Sequence, residues 1–197
     1  MVEKIDNTNL GLKIKLRKKA IEYAGGNNKA FVLDLFAGKG NMRKFAWAKV
    51  ARYVGCDKKY SRPNYECIKG DNERLLPGLL KIDSFNIFDL DAYSNPFPLG
   101  KKICDLINPG EYQFILTDGI NRDLSSKNPS RKILKIIDWN TSDLPHGLLC
   151  NFKIHDDIVD WFLGEWPVEI NFMEWYQHKR YTQSSPRYYR IVLSKKP

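Results

Sequence analysis

The stretch VLDLFAGKGN, residues 32–41, joins an apolar run to a turn that contains two glycines. The apolar residues AFVLDLF predict a β-strand that is buried on both faces, as strands of a parallel sheet are. Gly38 and Gly40 permit positive φ angles and leave room for a ligand against the backbone, while the helix predicted after them would add free amides. The stretch therefore predicts a strand, a ligand-binding turn and a helix. A tight turn that binds no ligand is the alternative.

The composition is that of a globular protein with a basic surface. Hydrophobic residues fill 43% of the 197 positions and aromatic residues 13%, which predicts one domain that spans residues 1–197. Lys and Arg number 32 against 23 acidic residues, and the net charge of +9 favours an anionic partner such as nucleic acid. No apolar signal core and no apolar run of roughly 18 residues is present, so we expect a cytoplasmic protein that does not enter a membrane.

The residues 10–24, LGLKIKLRKKAIEYA, predict an amphipathic N-terminal helix. Leu12, Leu16, Ala20 and Tyr23 recur at helical spacing, and five cations lie largely on the other faces. Those cations are Lys13, Lys15, Arg17, Lys18 and Lys19. The basic side is a candidate RNA- or DNA-binding surface, and a solvated helix face is the alternative.

Apolar runs separated by helical segments predict an α/β fold. After the opening stretch, strands are predicted at ARYVGCD, 65–69, 85–89 and 112–117, with helices at 41–51, 72–81, 98–107, RKILKIIDW and KIHDDIVDWFL. The C-terminal segments VEINFMEWYQHKRY and RYYRIVLSKK predict an antiparallel pair at the sheet edge. The whole pattern predicts a Rossmann-like, doubly wound, mostly parallel seven-stranded sheet with a C-terminal antiparallel hairpin.

The motifs exclude several other kinds of site. The turn lacks GxxxxGK[ST], and Arg43 fills the third glycine position of GxGxxG, so a P-loop and a dinucleotide fingerprint are disfavoured. The histidines at 146, 155 and 178 lack the spacing of metal ligands, and we expect surface or capping roles and no metal site. No CxxC pair occurs, so reduced, buried cysteines are expected.

The segments DLFAGKG and VGCD resemble motifs I and II of the class I S-adenosylmethionine-dependent methyltransferases. The resemblance implies that the first acid and the glycine turn hold the methionine part of the cofactor, and that a second acid, Asp57, holds the ribose. An N-cap role is the alternative for Asp57. Asp71 would contact the adenine amine, with Asn72 as a substitute, unless Asp71 is a helix N-cap. The turn residues implied in cofactor binding are Asp34, Phe36, Ala37, Gly38 and Gly40.

The segment FDLDAYSNPF resembles the stretch after the fourth strand in amino-methylating enzymes of this superfamily, and DLDAYSNP is similar to that of the tRNA guanosine N2-dimethyltransferase family. The resemblance implies that Asp91 holds the acceptor amine and that Tyr93 stacks on its base. Asp89 is a candidate for the cofactor pocket, or a structural acid that bonds loop amides. In FILTDG, Asp118 lines the pocket or forms a turn.

Basic and aromatic residues alternate near the C-terminus in WYQHKRYTQSSPRYYR. Lys179, Arg180 and Arg187 are candidates for phosphate contacts and Tyr181 for stacking on a base. The alternative is an edge hairpin whose tyrosines pack inward.

Together these features predict an S-adenosylmethionine-dependent methyltransferase that N-methylates a nucleobase amine in RNA such as tRNA or in DNA, with RNA favoured over DNA, and leaves S-adenosylhomocysteine. A non-catalytic nucleic-acid-binding module with a relic pocket is one alternative. Ala92 and Ser94, which depart from the family pattern, favour that interpretation. A methyltransferase for small molecules or protein side chains is the other alternative, and the oligomeric state stays open.

Overall fold

A computed structural model describes residues 9–61, 67–92, 95–120, 152–177 and 186–197. Within these ranges helices and strands alternate along the chain. In order they are α1 Leu10–Tyr23, β1 Phe31–Asp34, α2 Asn41–Phe45, β2 Arg52–Asp57, β3 Cys67–Lys69, α3 Asn72–Ile82, β4 Ile87–Leu90, α4 Phe97–Leu106, β5 Gly110–Asp118, α5 Phe152–Gly164, β6 Glu169–Tyr176 and β7 Arg187–Lys195. A 3₁₀ turn, Asn27–Lys29, precedes β1.

The seven strands form one sheet in the order β3-β2-β1-β4-β5-β7-β6. The first five strands are parallel, and β7 is antiparallel to both β5 and β6. The predicted doubly wound sheet with its C-terminal hairpin is confirmed. The strand order reverses between β1 and β4, so the carboxyl ends of these two strands flank the crevice in which doubly wound sheets bind ligands.

Helices cover both faces of the sheet, and each face has its own apolar core. α1 and α2 pack on one face, where Leu16 and Met42 contact the core around Val32 and Ile115. α3, α4 and α5 pack on the other face, where Leu76, Phe97 and Phe162 belong to the larger cluster. Burial on both faces explains the continuous apolar runs of β1, β4 and β5.

The predicted element bounds hold with a few exceptions. α2 ends at Phe45 rather than at residue 51, because the amides of Ala46 and Trp47 both bond to the carbonyl of Met42 and Trp47 then turns into the core. β5 is longer than predicted and begins at Gly110. The predicted helix RKILKIIDW lies outside the described residues, as does the first half of the strand predicted at 65–69.

The prediction for α1 is right about the helix and partly wrong about its faces. Leu16 and Ala20 are buried, but Tyr23 is 49% exposed and Ile21 is buried on the inner side instead. Arg17, which the sequence places on the basic side, is 1% exposed. An arginine is this deeply buried only where it has a charged partner, and that partner lies at the carboxyl edge of the sheet.

Replacing Gly100 by alanine should destabilise the fold, because α4 packs directly against an indole ring. An added Cβ at Gly100 would lie 2.3 Å from Cζ2 of Trp166. The helix-propensity gain of about 1 kcal/mol is smaller than an overpacking cost of roughly 1–3 kcal/mol. We expect the free energy of unfolding, measured by urea titration, to fall by up to about 2 kcal/mol.

Gly78→Ala in α3 is the matched control, since a Cβ at Gly78 meets no atom within 4 Å. This variant should gain up to about 1 kcal/mol of stability. Equal gains at both positions would show that α4 does not pack against Trp166 as described.

Candidate functional site

The glycine turn after β1 is held between the two neighbouring strands. The amide of Leu35 donates to the carbonyl of Asp89 in β4 at 3.0 Å, and the amide of Ala37 donates to the carbonyl of Cys56 in β2 at 3.1 Å. Gly38 and Gly40 have φ angles of 52° and 79°, so both adopt the left-handed conformation that the sequence predicts. An added Cβ at Gly38 would meet one backbone oxygen, at 3.8 Å. The turn is therefore fixed by the sheet and open above Gly38.

Asp57, at the end of β2, faces this turn. Its Oδ2 accepts a hydrogen bond from the amide of Gly38 at 3.0 Å, and its Oδ1 accepts from the amides of Lys59 and Tyr60 at 2.7 and 3.1 Å. Beneath the turn, Gly55 lets the backbone approach closely, since a Cβ there would lie 2.9 Å from Cβ of Ala37. The second acid of the predicted site therefore lies beside the glycines.

The start of α3 joins the same group of residues. Asp71 is the N-cap of α3, because its carboxylate accepts from the amides of Glu73 and Arg74 at 3.1 and 3.3 Å. Asn72 donates its side-chain amide to the carbonyl of Leu35 in the turn. The N-cap alternative for Asp71 is thus confirmed, and Asn72 is the residue of this pair that contacts the turn.

Asp34 lies beneath the turn rather than in its opening. The carboxylate is 1% exposed, with Oδ1 accepting from the amide of Phe36 at 3.1 Å and Oδ2 from the hydroxyl of Tyr53 at 2.9 Å. Burial and the nearby charge of Asp89 raise the pKa of Asp34 well above its usual range. Phe36 packs against the larger core, and Ala37 is 7% exposed. Asp34 therefore stabilises the turn from inside.

Asp89 is the buried partner of Arg17. The guanidinium donates through Nε to Oδ2 at 2.7 Å and through Nη2 to Oδ1 at 2.6 Å. Both side chains are at most 1% exposed. The indole Nε1 of Trp47 adds a third hydrogen bond to Asp89, at 2.9 Å. Burial alone would lower the pKa of Arg17, but Asp89 and Asp91 outweigh it and raise that pKa. The structural alternative for Asp89 fits these contacts, although its partners are side chains rather than loop amides.

Asp91 lies two residues further on, beyond the end of β4. Its Oδ1 accepts from Nζ of Lys13 at 2.8 Å, Oδ2 lies 3.4 Å from Nη2 of Arg17, and the side chain is 14% exposed. Burial opposes ionisation, but the charges of Arg17 and Lys13 and a hydrogen bond from Thr117 lower the pKa of Asp91. Asp91 is therefore ionised at neutral pH. Tyr93 lies outside the described residues.

Asp118, at the end of β5, forms a buried pair with His155. Its Oδ2 lies 2.6 Å from Nε2 of His155, and both side chains are 0% exposed. Its Oδ1 accepts from the amide of Ile120 at 2.7 Å, so the turn-forming alternative is confirmed. The surface or capping role expected for His155 is wrong, because α5 buries this histidine against the sheet beside the carboxylate.

The predicted nucleic-acid contacts are divided between buried and undescribed residues. Arg187 is 1% exposed, bonds to Asp156 of α5 and stacks 4.4 Å from the ring centroid of Trp175. Tyr188 and Tyr189 are each 1% exposed, as the inward-packing alternative expects. Lys179, Arg180 and Tyr181 lie outside the described residues.

The part of the chain that the structure describes contains no group of three or more His, Cys, Asp or Glu side chains that could hold a metal ion. None of its helices is long and apolar enough to cross a membrane.

Lys13 and Arg17 are the site residues that the sequence reasoning placed wrongly. Both belong to the helix assigned as basic, yet they point inward to the acids of β4. A signal was present, since Arg17 lies four residues before the buried Ile21 and therefore on its face of the helix. The sequence contained no signal for the partner of Arg17, because Arg17 and Asp89 are 72 positions apart.

Arg17→Ala should lower the free energy of unfolding by about 3–5 kcal/mol, because it leaves the carboxylate of Asp89 buried without its charged partner. Urea titration at neutral pH measures the effect. Lys18→Ala removes the neighbouring, exposed cation of the same helix and should change stability by no more than about 0.5 kcal/mol. Similar losses in both variants would contradict the buried ion pair.

No family model and no curated protein matches the sequence. Solved structures do match at low identity. An O-methyltransferase from Bacillus cereus in complex with SAH shares 14% identity at a TM-score of 0.55, over 98% of this chain and 84% of that one. M. jannaschii TYW2 in complex with AdoMet shares 9% identity at a TM-score of 0.55, over 99% of this chain and 80% of that one.

Similarity also extends to a protein from Streptococcus thermophilus named as a "putative hemolysin". It shares 10% identity at a TM-score of 0.60, over 99% of this chain and 69% of that one. Identities this low establish the fold and leave the activity open. The strand order, the antiparallel C-terminal strands and these similarities together show that the chain has the Rossmann-like fold of the class I methyltransferases.

Proposed function

We propose that the protein is an S-adenosylmethionine-dependent methyltransferase whose acceptor is an exocyclic amine of a nucleobase, in RNA rather than DNA. One observation carries the proposal. The glycine turn at 35–40 lies open at the carboxyl end of β1, at the reversal of strand order, with Asp57 and Asn72 bonded to its backbone. A ligand placed there meets backbone, a carboxylate and an amide at once.

The chain offers groups suited to each part of the cofactor. Gly38 and Gly40 leave room for the methionine part, and Phe36 and Ala37 complete the turn. Asp57 accepts hydrogen bonds from two backbone amides at Oδ1 and from one at Oδ2, so Oδ2 can accept a further hydrogen bond from a ribose hydroxyl. When bound, the cofactor supplies an electrophilic methyl group on a sulfonium. Asn72, which bonds to the carbonyl of Leu35, and Asp71 beside it are the groups proposed to bind the adenine.

Asp91 is the proposed catalytic residue. Because its pKa is lowered, the carboxylate stays charged and can accept a hydrogen bond from an amine and stabilise the positive charge that develops on nitrogen. The Lys13 ammonium, 2.8 Å from Oδ1, already donates to this carboxylate. An acceptor amine would share or replace that contact. Tyr93, two residues on, is proposed to stack on the base, which holds the amine in line with the methyl group.

A second candidate function is a nucleic-acid-binding module without catalysis. The observation that favours it is the same Lys13–Asp91 contact, because a cation from within the chain already fills the acid that would hold the substrate. The two candidates differ in one measurable property, the transfer of a methyl group.

Asp57→Ala should weaken the binding of S-adenosylmethionine at least tenfold in isothermal titration, because it removes the ribose acceptor and releases the amide of Gly38. S-adenosylhomocysteine should bind the parent comparably, since it keeps the ribose and adenine. Asp105→Ala in α4 is the matched control, because it removes an exposed carboxylate that pairs with Lys101 away from the turn. If the parent bound neither compound, the proposed cofactor site would be wrong.

Asp91→Ala should abolish methyl transfer while it leaves cofactor affinity within a few-fold of the parent. Transfer of tritiated methyl groups to unmodified tRNA transcripts measures it, with DNA of the same sequence in parallel. We expect a loss in kcat/KM of roughly 100-fold or more, the scale of a positioned acid–base group. A parent that binds tRNA and the cofactor but transfers nothing would favour the non-catalytic module instead.

A further inference from the structure

The helices on the two faces of the sheet differ strongly in charge. α1 and α2, on one face, contain seven Lys and Arg residues and one acidic residue. α3, α4 and α5, on the other face, contain five of each sign. Among the described helices, the excess positive charge therefore lies in α1 and α2, and it draws an approaching anion to their side of the sheet.

Within this layer, some cations point inward and others outward. Lys13 is bonded to Asp91 just after β4, Arg17 is bonded to Asp89 within β4, and Lys19 is bonded to Glu174 of β6 at 2.5 Å. Lys15 and Lys18, by contrast, are exposed on α1, and Lys44 is exposed on α2. The inward cations neutralise acids of the same chain, so the outward ones are the charges that a partner can neutralise.

Aromatic rings lie among the outward cations. Phe45 is 46% exposed with Nζ of Lys44 5.3 Å from its ring centroid, and Nζ of Lys15 lies 5.0 Å from the ring centroid of the half-buried Tyr176. Single exposed rings beside cations are the pattern of surfaces that track a phosphate backbone and stack unpaired bases. The surface also continues to the candidate site, because Lys13, on the turn of α1 next to Lys15, contacts Asp91.

We propose that the outward side of these two helices, the α1–α2 surface defined by Lys15, Lys18, Lys44 and Phe45, binds a single-stranded nucleic acid whose target base reaches Asp91. This inference rests on the proposed function for the role of Asp91, although binding itself does not require methyl transfer. A single strand fits because an exocyclic amine must leave the base stack to be methylated.

An anionic membrane is the rival partner for a basic helix. Membrane-binding helices insert an apolar face between lipids, but Leu16, Ala20 and Ile21 of α1 are already buried against the sheet. A lipid surface would therefore gain the electrostatic attraction alone, whereas a nucleic acid would gain stacking on the exposed ring of Phe45 as well.

The test compares two double variants with the same change in charge. Lys15→Glu with Lys18→Glu alters the α1–α2 surface, while Lys81→Glu with Lys101→Glu alters lysines of α3 and α4 on the opposite face. Anisotropy of a labelled 16-nucleotide single-stranded RNA, and of DNA of the same sequence, is measured over a range of salt. Isothermal titration with S-adenosylmethionine on each variant reports that the fold and the cofactor site are intact.

We expect the first double variant to bind RNA at least tenfold more weakly than the parent. Its salt slope should fall by about 1.4, or about 0.7 for each phosphate that the variant no longer neutralises. The second variant should stay within threefold of the parent. Equal losses of affinity in both would overturn the proposal, because binding would then follow net charge and not this surface.

Two further outcomes would also overturn it. One is a parent that binds neither RNA nor DNA, and the other is a parent that prefers phosphatidylserine vesicles to both. A parent that binds S-adenosylmethionine but no nucleic acid would reject this surface and keep the cofactor site, whereas the reverse result would keep the surface and reject the proposed function.

Discussion

The bidentate ion pair between Arg17 and Asp89 is the interaction on which the site depends. It joins the middle of α1 to the end of β4, and Asp89 is in register with Asp34 at the end of β1. The pair therefore fixes the N-terminal helix against the two strands that flank the reversal of strand order. A buried carboxylate of this kind is tolerated only with full hydrogen bonding, which Arg17 and Trp47 supply.

Two acids beside the Arg17–Asp89 pair, Asp34 and Asp91, have pKa values that shift in opposite directions. Asp34, which shares no hydrogen bond with a cation, has a raised pKa and holds the turn through Phe36 and Tyr53. Asp91, which contacts both Lys13 and Arg17, has a lowered pKa and keeps its charge. Three acids close together thus take different roles because their surroundings differ. Asp91, the acid whose pKa is lowered, is also the one nearest to solvent, as the proposed acceptor-binding role requires.

Much of the fold could be predicted from the sequence, because it depends on local patterns. Apolar runs locate the central strands, and the paired glycines locate the turn. Two C-terminal segments separated by a polar stretch predict the last two strands. The faces of the helices were less predictable. Arg17 and His155 were placed on or near the surface, yet both are buried beside carboxylates of the sheet. Such pairings join residues far apart in sequence, so a pattern within one helix can show that a residue faces inward but cannot identify its partner.

The candidate site shows the same division between local and long-range information. The glycines and Asp57 were expected at the turn and lie there together, since each follows directly from a strand end. Asp34 was expected to face a ligand and instead bonds to Tyr53 beneath the turn, because its strand directs the side chain toward the face that α1 covers. The glycine at position 55, which allows Ala37 to approach β2, carried no recognisable signal.

The decisive measurement for this site is a crystal structure of the protein grown with S-adenosylhomocysteine. We expect density for the ligand above the Gly38–Gly40 turn, with the ribose at Asp57, the adenine near Asn72 and the sulfur facing the carboxylate of Asp91. Density at another place on the fold, or a turn without ligand density at saturating concentration, would contradict the proposed cofactor site.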